Sequence, residues 1–80
     1  MKDSLESELV QVAAVAVHWL EELGYTQQAA FTDIRHERFR QDEKFGPQHG
    51  HSDCVWLTIL TEEVGEAAKA ALDRREENGK

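Results

Sequence analysis

Apolar residues dominate the first third of the chain and predict a long helix. Residues 9–17 are apolar except for one, so apolar side chains surround the helix at nearly every angle. This pattern is typical of a central, buried helix. We expect the helix to begin at Asp3 or Ser4, with Glu6 completing an Asp-x-x-Glu capping box, and to stop at Gly24.

One narrow polar stripe interrupts this helix. Its members lie within about 60° of Gln11 on a helical wheel, with only Val15 interrupting them. They are Ser4, Ser7, Glu8, Gln11, His18 and Glu22. The stripe either faces solvent or meets a second polar surface.

The middle of the chain is more polar. Residues 25–32 suggest a connection or a short helical turn, and residues 33–44 a charged helix with Ile34 and Phe39 as core contacts. The sequence Phe-Gly-Pro at 45–47 should end this helix, because proline cannot extend it.

A loop over 47–52 precedes the third helix, which Ser52 or Asp53 caps. This helix should run to Glu77 and close at Asn-Gly, 78–79. Because no segment alternates between apolar and polar residues, we expect no sheet. The prediction is an all-α bundle of two long helices and one shorter helix.

The chain has 80 residues, of which 40% are hydrophobic, and this size suits one domain spanning residues 1–80. So small a domain buries a modest core, and we expect a homodimer or homotetramer to complete it. The net charge of −7 argues against nucleic acid or an anionic membrane as partner.

Cys54 is the single cysteine, which leaves no internal disulfide and suits a reducing cytoplasm. No signal peptide is evident, and the longest apolar run, residues 12–17, is too short to span a bilayer. His49, His51 and Asp53 stand near Cys54, but their spacing matches no established zinc signature.

Three glutamates in the third helix are the strongest chemical signal. Glu62, Glu63 and Glu66 have the three- and four-residue spacing that lets helical side chains converge. Like charges so spaced weaken a helix, and no Lys or Arg lies between residues 45 and 68. A hard divalent cation would relieve the repulsion.

A solvated acidic face is the alternative interpretation of these glutamates. Against it, Ile59 and Ala70 share their sector of the helical wheel, and half-buried acids need partners. The main apolar stripe is formed by Leu57, Leu60, Val64, Ala68 and Ala71.

Two motifs together resemble the MazG-like all-α nucleoside triphosphate pyrophosphatases. Residues 37–46 read Glu-Arg-Phe-Arg-Gln-Asp-Glu-Lys-Phe-Gly, and residues 62–69 read Glu-Glu-Val-Gly-Glu-Ala-Ala-Lys. The resemblance covers about residues 33–72. It implies helices that hold Mg²⁺, or Mn²⁺ in its place, while water cleaves a triphosphate to a monophosphate and pyrophosphate.

The family's second motif, E-x-x-D, does not follow Glu66 in this chain. Instead Glu8-Leu-Val-Gln11, within residues 4–23, is similar to the family's second metal helix, with Gln11 where Asp is common. If residue 80 were joined to residue 1, 21 residues would separate Glu66 from Glu8, which suits the family's spacer. We therefore expect a circularly permuted order, with Glu8 supplied in cis or by a domain-swapped partner.

The resemblance implies a role for each matching residue. The metal ligands and catalytic residues would be Glu8, Glu62, Glu63 and Glu66, with Gln11 as a further metal ligand. The substrate-binding residues would be Gln41, Lys44, Phe45 and Trp56. Lys44 as a surface charge and Trp56 as a core residue are the alternatives. A catalytically silent dimerisation or partner-binding module, or a fragment completed by a second polypeptide, is the rival to an enzyme.

Overall fold

The computed structural model describes residues 4–46 and 50–77, excluding the side chains of Phe45, Glu76 and Glu77. Within these ranges the chain is all-α, without strands. Its three helices are α1 (Leu5–Glu22), α2 (Gln27–Phe45) and α3 (Asp53–Glu77). The three helices confirm the all-α class that the sequence predicts.

The chain divides into two compact units. Unit 1 spans Met1–Pro47 and contains α1 and α2, which pack against each other. Unit 2 spans Gln48–Lys80 and contains α3. The candidate ligands from the sequence are therefore divided between units, two on α1 and three on α3.

Ser4 caps α1, one of the two predicted candidates. Its Oγ accepts a hydrogen bond from the Ser7 N–H at 3.0 Å, which satisfies a backbone donor that the helix leaves open. With Ser4 as the cap, the third helical position is Ser7. The predicted capping box through Glu6 is therefore wrong, and Asp3 lies outside the described residues.

Gly24 ends α1 as predicted, through a Schellman motif. The Tyr25 N–H donates to the Leu20 carbonyl at 3.0 Å, and the Gly24 N–H donates to the Glu21 carbonyl at 3.0 Å. Gly24 has a φ of +109°, a conformation that other residues adopt only with strain. The chain is thereby turned immediately after α1.

The start of α2 corrects the prediction for the middle of the chain. Thr26 is the N-cap, its Oγ1 accepting from the Ala29 N–H at 3.1 Å, so residues 27–32 are helical. Because these residues are polar, the prediction overlooked that they include good helix formers and follow a favourable N-cap. With 19 residues, α2 is no shorter than α1 with 18, so the predicted single shorter helix was wrong. The helix ends at Phe45 as predicted, followed by Gly46 at φ +73°.

Very few side chains are buried. Among the described residues only Val17 and Ala30 are buried, both in unit 1. The predicted burial of α1 is therefore wrong for the single chain, because one neighbouring helix covers only one side of a helix that is apolar all round. Ile34 and Phe39, predicted core contacts, are 39% and 69% exposed.

The third helix begins as predicted. The Ser52 Oγ accepts from the Val55 N–H at 3.3 Å, and the Ser52 carbonyl accepts from the Trp56 N–H at 3.0 Å. Gly65 stands in the helix interior, where glycine costs about 1 kcal/mol relative to alanine. A Cβ built at Gly65 would meet nothing within 4 Å, so packing within the described chain does not require glycine there.

Removal of the Thr26 cap should weaken unit 1. We expect Thr26→Ala to lower the free energy of unfolding by about 1 kcal/mol, because the Ala29 N–H loses its acceptor. Urea denaturation followed by circular dichroism measures the change. Thr26→Ser retains the hydroxyl and should remain close to wild type; equal losses in both variants would contradict a capping role.

Candidate metal site on the third helix

The three glutamates of α3 are open to solvent. Glu62, Glu63 and Glu66 are all exposed, and no hydrogen bond or ion pair of their side chains is found among the described residues. The predicted half-burial is wrong because α3 is the one helix of unit 2 in the described chain, so no neighbour within that unit covers it. Ile59, in their sector, is only partly buried.

The α3 carboxylates combine close spacing with no basic partner in the described part of unit 2. Glu66 is three residues from Glu63 and four from Glu62, so each pair shares a helix face with the same charge. Lys69, the next base along the helix, forms no ion pair there. The arrangement leaves local negative charge available to an external cation.

Glu62, Glu63 and Glu66 do not form a three-ligand group in the described part of unit 2. Within the described residues of either unit, no three His, Cys, Asp or Glu side chains are placed to hold a metal ion. Glu62 and Glu63 are adjacent, so their side chains leave the helix about 100° apart. Carboxylate oxygens fit a hard cation in type, but further ligands must come from another element or from water.

The other two candidate ligands lie on α1. Glu8 and Gln11 are three residues apart, share one face and are both exposed. Further along the same polar stripe, His18 Nε2 lies 3.7 Å from a carboxylate oxygen of Glu22. The stripe faces solvent in unit 1, which leaves Glu8 and Gln11 accessible.

Gln41, a candidate substrate contact, belongs to a side-chain network along α2. Its Oε1 accepts from Arg38 Nη1 at 3.1 Å, and its Nε2 donates to Glu37 Oε2 at 3.3 Å. Arg38 also donates to Asp42 at 3.2 Å, and Arg40 pairs with Glu37. The network was not predicted, although its three- and four-residue spacings are visible in the sequence. Both polar ends of the Gln41 amide therefore have partners.

The remaining candidate substrate contacts differ in their surroundings. Trp56 is 43% exposed and meets His51 edge-to-face, with ring centroids 5.0 Å apart and planes at 74°. Lys44 is exposed in the last turn of α2, where a cation complements the helix dipole. Phe45 is the last residue of α2, and its side chain lies outside the described part. Trp56 thus offers an open aromatic surface beside the α3 N-terminus.

The chain matches no protein-family model, no curated protein and no solved structure. The likeness to MazG-like pyrophosphatases therefore rests on the two sequence motifs. Among the described residues, no helix is both long and apolar enough to cross a membrane.

Charge repulsion on α3 can be measured without metal. We expect Glu66→Gln to raise the free energy of unfolding by about 0.3 kcal/mol at low salt, because two like-charge pairs disappear while one attraction of similar size, Glu66–Lys69, is lost. The gain should shrink in high salt, where charges are screened. Denaturation at two salt concentrations, with chelator present, tests this.

Asp73→Asn provides the control on the same helix. Asp73 lies four residues after Lys69, so its removal should give no stabilisation. A loss of stability in Glu66→Gln would contradict the expectation and indicate that Glu66 already has a favourable partner.

Proposed function

We propose that this chain is an Mg²⁺-dependent nucleoside triphosphate pyrophosphohydrolase, which converts a triphosphate and water to a monophosphate and pyrophosphate. The observation that carries the proposal is the set Glu62, Glu63 and Glu66, exposed and without a basic partner in the described part of unit 2. The two MazG-like motifs support it. House-cleaning of non-canonical nucleotides is the biological role that we propose.

Glu63 and Glu66 would form half of the metal site, and Glu8 and Gln11 the other half. Both pairs have three-residue spacing on an exposed helix face, so each can present two oxygens to one ion. The α1 pair would come from the same chain or from its partner in a domain-swapped dimer or tetramer. The carboxylate and amide oxygens of the four side chains are of the type that would hold Mg²⁺.

The acidity of the chain makes a cation necessary for this substrate. With a net charge of −7, the protein would repel a triphosphate at long range. The chemistry that a bound Mg²⁺ would supply is neutralisation of phosphate charge and activation of the attacking water. In this proposal the carboxylates of α3 bind the cation and do not contact phosphate directly.

The protein's own groups would orient the reactants. Glu62, next to Glu63 in the sequence, would accept a proton from the attacking water and align it with the scissile bond. Lys44 and Gln41 would contact phosphate. Trp56 or Phe45 would stack on the base. Attack in line with the leaving pyrophosphate completes the hydrolysis.

Pyrophosphate release tests the activity and the site together. We expect release from a panel of canonical and modified nucleoside triphosphates in Mg²⁺ or Mn²⁺, and none with EDTA. Glu63→Gln should lower kcat/KM by about 100-fold or more, since even outer-shell changes at metal sites cost 10–100-fold. Asp73→Asn, on the same helix, should retain full activity.

Each result has a definite meaning. Release that survives EDTA, or an unchanged rate in Glu63→Gln, would contradict the metal site. No release from any nucleotide by folded protein would contradict the enzyme.

A substitution at Gln11 should strengthen metal binding, whereas Glu63→Gln should weaken it. Because a carboxylate binds a hard cation better than an amide, Gln11→Asp should lower the half-saturating Mg²⁺ concentration by about 10-fold. Gln11→Asn, which keeps the amide on the shorter side chain, is the matched control. Metal titration of the rate measures both, and equal affinities in the two variants would exclude Gln11 as a ligand.

A second candidate function is a catalytically silent dimerisation or partner-binding module. Two observations favour it: no group of three metal-binding side chains forms within the described part of either unit, and large apolar side chains are widely exposed. A function that survives both EDTA and Glu66→Ala would support this candidate over the enzyme.

A further inference from the structure

A regular apolar stripe of α1 remains open within unit 1. Its members recur at alternating intervals of four and three residues, which is the 3.5-residue period of a coiled-coil seam. Val17, the buried residue of α1, leaves the helix about 120° from the centre of this stripe. The stripe, here called the α1 seam, consists of Leu5, Leu9, Val12, Ala16, Trp19 and the C-cap Leu23.

The α1 seam has the length and the period to bind another helix. Leu5, Leu9 and Val12 are 55%, 45% and 46% exposed, and Trp19 and Leu23 are 50% and 46% exposed. The seam extends over about 27 Å of helix, at a rise of about 1.5 Å per residue. A period of 3.5 residues is matched by a second helix at a small crossing angle, because the two seams then stay in contact along their length. The pattern therefore specifies a helix as the partner.

The side chains that flank the α1 seam are acidic or apolar. Glu6, Glu8 and Glu22 occupy flanking heptad positions, and Glu21 adds a fourth acid to the helix. Residues 5–22 contain no Lys or Arg to balance these charges. In paired helices the flanking positions of the two partners meet, so their charges decide which partner is accepted. The flanks of α1 favour a partner with basic residues at its own flanking positions.

The same charges disfavour a second copy of α1 as the partner. In an antiparallel pair centred on Val15, Glu8 of each copy would lie opposite Glu22 of the other. In a parallel pair the acidic ends of the two helices would lie side by side. Like charges placed together across an interface oppose association, and α1 has no base to offset them. A basic helix meets no such repulsion.

We propose that the α1 seam binds an amphipathic helix of another protein, whose apolar heptad seam is flanked by Lys and Arg. The apolar side chains of the two seams supply most of the affinity, and the flanking charges select the partner. This interaction goes beyond the proposed hydrolysis, and neither depends on the other. Glu8 is common to both proposals, so the interaction is measured in EDTA, without metal.

Two designed peptides test the charge of the partner. The basic probe has about 21 residues, with Leu at both seam positions of each heptad and Lys at the flanking positions. The acidic probe is identical except that Glu replaces the flanking Lys. We expect the full chain to bind the basic probe at least about 10-fold more tightly than the acidic probe, and the difference to shrink in high salt. Fluorescence anisotropy of the labelled probes measures both dissociation constants.

Neighbouring substitutions test whether the probe binds at the seam. Leu9→Gln lies within it and should raise the dissociation constant of the basic probe by about 10-fold or more, because a buried leucine contact is lost. Val10, 68% exposed, leaves α1 about 140° from the centre of the seam, so Val10→Gln should leave binding unchanged. Circular dichroism checks that both variants are folded. In a Trp56→Phe background Trp19 is the one remaining tryptophan, and its emission should shift to the blue when the probe covers it.

The outcomes separate this interaction from the activity. Binding of the basic probe that Leu9→Gln weakens and Val10→Gln does not supports the proposal, whether or not pyrophosphate is released. No binding, equal affinity for the two probes, or equal effects of the two substitutions would each overturn it. An assembly of the chain with itself that excludes the basic probe and that Leu9→Gln dissociates would overturn it too, and would assign the seam to a second copy.

Discussion

The packing of α1 against α2 is the contact on which unit 1 depends. Two local devices enforce it: the Schellman motif at Gly24 ends one helix, and the Thr26 cap begins the next. The resulting contact leaves only Val17 and Ala30 buried among the described residues. Since α1 is apolar nearly all round, α2 leaves most of its hydrophobic side chains exposed within unit 1.

The same shortage of burial shapes the candidate site. A carboxylate pair on a covered helix would be held by its neighbours, whereas Glu63 and Glu66 stand on an exposed helix with like charge beside them. Metal binding and assembly would therefore support one another. Under the proposed function, a cation would relieve the repulsion on α3, and a second helix would supply the further ligands.

Local sequence signals predicted much of the fold. Ser4, Gly24, Ser52 and the end of α2 at Phe45 follow directly from cap and stop chemistry, and the lack of alternation excluded a sheet. The failures were matters of context. Residues 27–32 were not predicted as part of α2 because polar helix formers show no apolar period. Burial was overestimated because an apolar sequence favours burial without specifying which chain buries it.

The sequence predicted the residue types of the candidate site and their spacing along each helix. It did not predict whether the side chains of α1 and α3 come together. That Glu62, Glu63 and Glu66 share one helix follows from their spacing. Whether Glu8 and Gln11 join them depends on contacts between helices far apart in sequence, which periodicity does not specify. The side-chain network along α2, from Glu37 to Asp42, could by contrast have been predicted, because residues three or four apart on a helix are neighbours.

The short link between α1 and α2 has a consequence for how the protein folds. Only residues 23–26 separate the two helices, so they can dock at a rate that is independent of protein concentration, since loop closure over so few residues is fast. If α3 gains its cover from a second molecule, its final packing is a bimolecular step that slows on dilution. Refolding would then show a rapid unimolecular phase followed by a second-order one, with nascent hairpins as the species that must find each other.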